Sequence, residues 1–243
     1  TDFDPLRIKK EWKQRVCANI EIPFHEVDAH NIVPCWIASS KQEYGAYTIR
    51  PKINRQIAEF LDEFPPLKTH PFPWKEKKAF TDWAYIIKNT EIDRTVMPVD
   101  WILPGERAAS ENLEDFLSDR IMYYTEHRNN PNKRCLSNLS PYIHFGHISA
   151  QRAVMQIQKA GIPERYIQPF LEELVVRREL SDNYCFYNQR YDNFEGFPEW
   201  AKRTLNEHRL DTRPYIYTIE QFEYALTHDK LWNAAQNEMV KTG

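Results

Sequence analysis

Leu113, Phe116, Leu117, Ile121 and Tyr124 recur at helical spacing, and this pattern governs the chain from Pro104 onward. The same spacing puts Tyr124 and Arg128 on neighbouring turns near the end of that helix. Ser140-Pro141 reads as a cap followed by proline at the first helical position, and Ser149 as the cap of a second helix ending at Gly161. Phe170, Leu171, Leu174 and Val175 mark a further helix running into Arg177-Arg178-Glu179. Thr218-Ile219-Glu220-Gln221 is a capping box, and Asp229 caps an amphipathic helix carrying Trp232, Ala235, Gln236 and Met239.

The first fifty residues follow another pattern. Leu6, Trp12, Val16 and Ile20 fit one helical face between Pro5 and Pro23, and Ile20–Phe24 and His25–Asp28 alternate in the manner of short strands, as at the end of an α/β unit. Residues 51–104 carry Pro51, Pro65, Pro66, Pro71, Pro73, Pro98 and Pro104, which leaves room for one short helix, Ile53–Phe64. This connector is too rich in Phe and Trp for a flexible linker and is expected to wrap a folded body.

Composition changes this picture little. At 243 residues with 14% aromatic side chains, the chain can build a substantial core. A formal net charge of -3 decides nothing about nucleic acid, because a binding face needs clustered Lys and Arg rather than a basic total. The four cysteines are far apart with no CxxC pair, which suggests neither a disulfide framework nor a zinc site. No apolar run reaches the roughly 18 residues of a membrane span, and Thr1 opens into Asp2-Phe3-Asp4-Pro5 without the build of a signal peptide. A soluble, intracellular protein of the cytoplasm or nucleus is expected, with no membrane contact.

The candidate chemistry lies in three places. Leu136-Ser137-Asn138-Leu139-Ser140-Pro141 sets hydroxyls and an amide before a helix start, where free backbone N–H groups favour an anion such as a phosphate; an ordinary cap explains the same residues. With six glycines and no GxGxxG or GxxxxGK[ST], the usual Gly-rich nucleotide loops are missing, so a phosphate ligand depends on such a cap. The charges of Glu172-Glu173 and Arg177-Arg178-Glu179 either pair on a solvated helix face or point into a pocket, and nothing local decides which is buried. Asp182-Asn183-Tyr184-Cys185-Phe186-Tyr187-Asn188 suits core packing and also stacking on a base or flavin. His144 and His147 lack a third metal ligand nearby, and no nucleophile elbow supports a hydrolase.

Taken in order, these segments resemble class II cyclobutane-pyrimidine-dimer photolyases over nearly the whole chain. Val27-Asp28-Ala29-His30-Asn31-Ile32-Val33-Pro34 is similar to the last part of that family's N-terminal α/β antenna domain. Leu136 to Arg152, Glu172 to Asn188 and Leu231 to Met239 are similar to its flavin domain. The resemblance implies a mainly α fold: the end of an antenna domain over 1–50, a connector over 51–104 and a helical FAD-binding domain over 105–243. It also implies FAD as cofactor, an antenna pigment in the intact protein, a monomer, and damaged DNA carrying cyclobutane pyrimidine dimers as partner.

By the same resemblance Tyr124, Leu136, Ser137, Asn138, Leu139, Ser140 and Arg178 bind the flavin, and Glu173 reaches the dimer. Arg128 and Arg177 contact the damaged strand; some relatives carry Trp at the position of Arg177. Trp232 is the middle member of a tryptophan relay that photoreduces the flavin, and its other reading is a core aromatic. The implied reaction is light-driven: an electron passes from the excited reduced flavin to the dimer, the ring splits, and the electron returns. The chain is expected to be an internal piece of such an enzyme, lacking the other relay tryptophans and the asparagine beside the flavin, and by itself to bind FAD weakly and repair little. A cryptochrome-like flavin photosensor and a non-enzymatic helical interaction module are the alternatives, with repair of the (6-4) photoproduct disfavoured.

Overall fold

The computed structural model describes residues 1–76 and 80–242; residues 77–79 of the proline-rich stretch and Gly243 lie outside the described residues. The fold is mainly helical. Two compact units are present, one formed by Thr1–Glu63 with Pro104–Asn206, the other by Phe64–Leu103 with Glu207–Gly243.

The first unit contains α1 (Arg7–Cys17), α2 (Cys35–Ala38), α3 (Ala46–Phe60), α5 (Glu106–Asp115), α6 (Ile121–His127), α7 (Ser140–His144), α8 (Ala150–Lys159), α9 (Glu164–Leu171), α10 (Arg178–Tyr187) and α11 (Glu199–Glu207). The helix expected after Pro104 forms, but a π turn over Phe116–Arg120 joins α5 to α6. A second π turn, Glu172–Arg177, joins α9 to α10. The core sits between these two broken helices. Phe116 is fully buried and its ring centroid lies 4.8 Å from that of Phe170; Tyr124 meets Phe170 edge-on at 5.2 Å. Edge-to-face aromatic packing of this kind adds to the burial term. Helix α8 turns Ala150, Ala153, Val154 and Ile157 inward at i, i+3, i+4, i+7 and is capped by Ser149, whose Oγ accepts the Arg152 N–H at 3.1 Å.

Three expectations differ from what the chain does. Ile20–Asp28 forms no ladder: its one bridge pairs Val27 with Asp2, through Phe3 N–H to the Val27 carbonyl (2.6 Å) and Val27 N–H to the Thr1 carbonyl (2.9 Å). Alternation alone cannot hold a strand whose neighbour is as short as Thr1–Phe3. The helix expected at Ile53–Phe64 begins at Ala46, so that Pro51 lies inside it; burial of Ala46, Ile49 and Ile53 on one face outweighs the hydrogen bond that the proline removes. Ser140 is the first helical residue of α7 rather than its cap, because Asn138 takes a left-handed φ of 54° and Leu139 already has helical angles.

Within this unit the irregular segment 28–45 is held by side chains. The Asp28 carboxylate accepts the backbone N–H groups of Asn31 (3.0 Å) and Cys35 (2.9 Å). One face of α10 does the rest at i, i+4 and i+8. Glu179 accepts the Ile32 N–H (2.7 Å), Asn183 accepts the Glu43 N–H (2.7 Å) and donates to the Lys41 carbonyl (3.1 Å), and Tyr187 donates to the Ser39 carbonyl. Buried backbone groups without a ladder need such partners.

The second unit contains α4 (Trp83–Asn89), α12 (Ile219–Glu223) and α13 (Lys230–Thr242). Asp82 caps α4 through the Tyr85 N–H (2.9 Å), the Thr218–Gln221 capping box opens α12, and Asp229 accepts the Leu231 and Trp232 N–H groups at the start of α13. Among the described residues no helix is long and apolar enough to cross a membrane.

Candidate functional site

The second π turn borders a cavity of about 480 Å³ in the first unit, and the helix that follows the first π turn supplies another part of its wall. Tyr124 from α6, the segment Leu136–Ser140, Ile143 and His144 from α7, Phe170 from α9, Glu173 and Leu174 from the second π turn, and Arg178 from α10 line it. Residues separated by more than fifty positions thus share one wall, because α6 packs along α9 while α7 opens beside both. π turns recur at functional sites because they project side chains that a regular helix would turn aside.

The charges divide into two groups. Successive helical residues project about 100° apart, and the adjacent carboxylates Glu172 and Glu173 accordingly face different partners. Glu172 takes both Nε and Nη2 of Arg50 on α3 (2.8 and 2.7 Å) and lies 3.4 Å from Arg177 Nε. The hydrogen bonds from Arg50 hold the Glu172 carboxyl below its ordinary range, against the partial burial that opposes them. Glu173 instead accepts a hydrogen bond from Arg128 Nη1 at 2.6 Å, and the Arg128 guanidinium sits 5.6 Å from the centre of the Tyr124 ring. That bond to Glu173, with a second to Tyr124, raises the Arg128 pKa above its ordinary value.

Arg178 and Glu179 diverge in the same way. Arg178 donates from Nε to the Leu174 carbonyl (2.9 Å) and from Nη1 to the His30 carbonyl, leaving Nη2 buried with no hydrogen-bond partner among the described residues. Glu179 is 2% exposed, and burial pushes its carboxyl up to about 7 although the Ile32 N–H and Arg178 pull the other way.

The structure brings together Tyr124, Leu136, Ser137, Asn138, Leu139, Ser140, Glu173 and Arg178 around the cavity, with Arg128 bonded to Glu173 at its edge. Arg177 is exposed and belongs to the Glu172 group instead. Trp232 lies in the second unit, its ring 5.1 Å from Phe222, beside a cavity of about 440 Å³ bounded by Tyr215, Tyr217 and His228. Sequence reasoning missed Ile143, His144, Phe170 and Leu174 as cavity residues. Phe170 and Leu174 were legible only as apolar helix positions, and His144 only as half of a histidine pair. His147, the other half, accepts the Gly105 N–H at 3.2 Å, and among the described residues no cluster of His, Cys, Asp or Glu could hold a metal ion.

The fold and cavity define a helical protein built round an aromatic-walled site that carries serine, asparagine and arginine at one side. Comparison with known proteins shows what the chain is similar to. The sequence model described as DNA photolyase matches residues 1–71. Deoxyribodipyrimidine photo-lyase of Potorous tridactylus is 48% identical over 247 residues, an alignment covering 100% of this chain and 46% of that protein. The proteins of the same name from Oryza sativa subsp. japonica and Methanothermobacter thermautotrophicus are 46% and 39% identical, over 100% of the chain and 50% and 53% of their own lengths. Over its whole length the chain is similar to these photo-lyases, and it spans about half the length of the curated relatives it matches.

Proposed function

We propose that this chain is part of a class II type deoxyribodipyrimidine photo-lyase, an FAD enzyme that uses light to split cyclobutane pyrimidine dimers in DNA. The observation that carries this reading is the convergence of Tyr124, Leu136–Ser140, Glu173 and Arg178 on one cavity, in a chain whose relatives are named for that reaction. On this reading residues 1–50 end an antenna domain that holds a pigment in the intact protein, 51–104 connect, and 105–243 belong to the FAD-binding domain.

The residues present fit FAD. The cavity is within the range of about 300–1,000 Å³ usual for small-molecule sites, and its wall holds a guanidinium nitrogen with no hydrogen bond of its own, Arg178 Nη2, suited to an anionic oxygen. Ser137, Asn138 and Ser140 would hold the pyrophosphate, with Leu136, Leu139 and Tyr124 against the rest of the cofactor. When bound and reduced, FAD supplies a light-excited one-electron donor. The chain's own part is to exclude water with Phe170 and Leu174, and to present Glu173 to a carbonyl of the flipped-out dimer, where a carboxyl group balances the negative charge arriving on the pyrimidine.

Arg128 links this site to DNA. In the free chain it holds Glu173; a phosphate of the damaged strand competes for the same guanidinium and releases the carboxyl toward the dimer. Arg177, exposed beside Glu172, offers a second contact to the strand. Once the ring splits, the electron returns and no net oxidation results. Trp232 serves the separate photoreduction of the cofactor.

Titration of FAD into the chain, followed by quenching of flavin fluorescence, tests the cofactor assignment. Saturable binding that weakens about ten-fold or more in Arg178→Gln, as expected for losing a hydrogen bond to a charged group, supports it. A folded chain with no saturable binding, or one indifferent to that change, overturns it.

A further inference from the structure

The segment Leu136–Leu139 has no regular secondary structure before α7, yet it and Ser140 must keep one shape if their side chains are to meet a ligand. Asn138 makes this harder, since its φ of 54° lies in the left-handed region, where a non-glycine residue is strained. What holds the segment comes from behind, on the side of α5. Arg120 Nη1 donates to the Leu136 carbonyl at 2.7 Å, and Asn112 Nδ2 donates to the Ser137 carbonyl at 2.6 Å. The two donors are tied to each other: Arg120 Nη2 reaches the Asn112 carbonyl (3.3 Å) and its side-chain oxygen (3.4 Å).

That link fixes the polarity of the arrangement. With Asn112 Oδ1 facing a guanidinium, which can only donate, the amide nitrogen is left for the Ser137 carbonyl. The π turn makes the link possible. At about 100° per residue the i+8 position of a regular helix lies roughly 80° round from i, away from Asn112. The wider turn over Phe116–Arg120 winds less per residue and brings Arg120 back toward Asn112. The Arg120 guanidinium is further seated 5.7 Å from the centre of the Phe116 ring.

We infer that Asn112 and Arg120 are positioning residues that clamp the Leu136 and Ser137 carbonyls, hold Asn138 in its left-handed conformation, and so set the geometry of the cavity segment for its ligand. Neither side chain lines the cavity; both act through the main chain behind it. The inference rests on the FAD reading for the identity of the ligand, and on the structure alone for the clamp.

The test uses the full chain carrying Asn112→Asp, which turns the Ser137 contact repulsive, and separately Arg120→Met, with Arg120→Lys as the conservative variant. Amide hydrogen exchange is measured without ligand, and FAD affinity by fluorescence titration. The clamp predicts exchange at Asn138–Ser140 faster by about ten-fold or more in Asn112→Asp and Arg120→Met, with α8 and α10 unchanged. It predicts a parallel loss of FAD affinity of about ten-fold, partly restored in Arg120→Lys. Exchange at Asn138–Ser140 equal to that of the parent in both variants overturns the clamp. Faster exchange with unchanged FAD affinity overturns its positioning role. Faster exchange in a chain whose parent binds no FAD supports the clamp and defeats the FAD reading instead.

Discussion

Glu179→Gln isolates the cost of burying a carboxylate under the segment that α10 holds. Glu179 is 2% exposed, its Oε1 accepts the Ile32 N–H at 2.7 Å, its Oε2 has no hydrogen-bond partner among the described residues, and Arg178 stands 3.9 Å away. Burial is the largest influence and raises the carboxyl from 4.5 to about 7. The folded chain therefore holds a proton there that the unfolded chain has already lost. Stability falls as pH rises through the interval between those two values and is flat on either side of it.

Each pH unit of that interval costs about 1.4 kcal/mol, so the whole interval amounts to a loss of roughly 3 kcal/mol. Glutamine keeps an acceptor for the Ile32 N–H and cannot ionise. Equilibrium urea unfolding of both proteins between about pH 4 and about pH 8.5 measures the difference directly, since every other titrating group is shared and cancels. The stability of Glu179→Gln relative to the parent is expected to improve by about 3 kcal/mol across that range. Parallel pH profiles, or a relative stability that declines toward high pH, would refute the reasoning.

Phe116→Ala removes the fully buried ring at the centre of the first unit and is expected to cost about 3–5 kcal/mol, read by the same urea titration. Glu173→Gln keeps the side chain's shape but loses the ion pair with Arg128; introduced into a chimera completed with the remaining half of a relative, it is expected to lower dimer repair about 10²-fold while FAD affinity stays at the parent chimera's value, measured by photorepair of a thymine-dimer oligonucleotide and by fluorescence titration. Trp232→Phe keeps an aromatic ring against Phe222; in the same chimera flavin photoreduction, followed by visible absorbance under illumination, is expected to slow, with less than about 1 kcal/mol lost in stability.

Much of this was legible in the sequence where the signal is local. Ser149, Thr218 with Gln221, and Asp229 cap the helices that their spacing marks, because a cap is made of groups within three residues of each other. The π turns were not legible: Leu113 to Tyr124 keeps helical spacing throughout, and it is the packing of Phe116 and Tyr124 against Phe170 that favours the wider turn. Nor could spacing say which charge of Arg177-Arg178-Glu179 is buried, since Glu179 is enclosed by Ile32, which lies 147 residues earlier. The Asn112–Arg120 clamp escaped notice for a similar reason. Its acceptors are main-chain carbonyls, which leave no trace in residue type.

Light-driven repair is measured most directly as loss of cyclobutane dimers from a defined oligonucleotide. A suitable protein is a chimera in which this chain replaces the matching half of the Potorous tridactylus relative, assayed with reduced FAD under near-ultraviolet light and in the dark. Dimer loss in the light and none in the dark is the predicted result. A chimera that folds, binds FAD and binds the damaged oligonucleotide, yet leaves the dimers intact in the light, would contradict it.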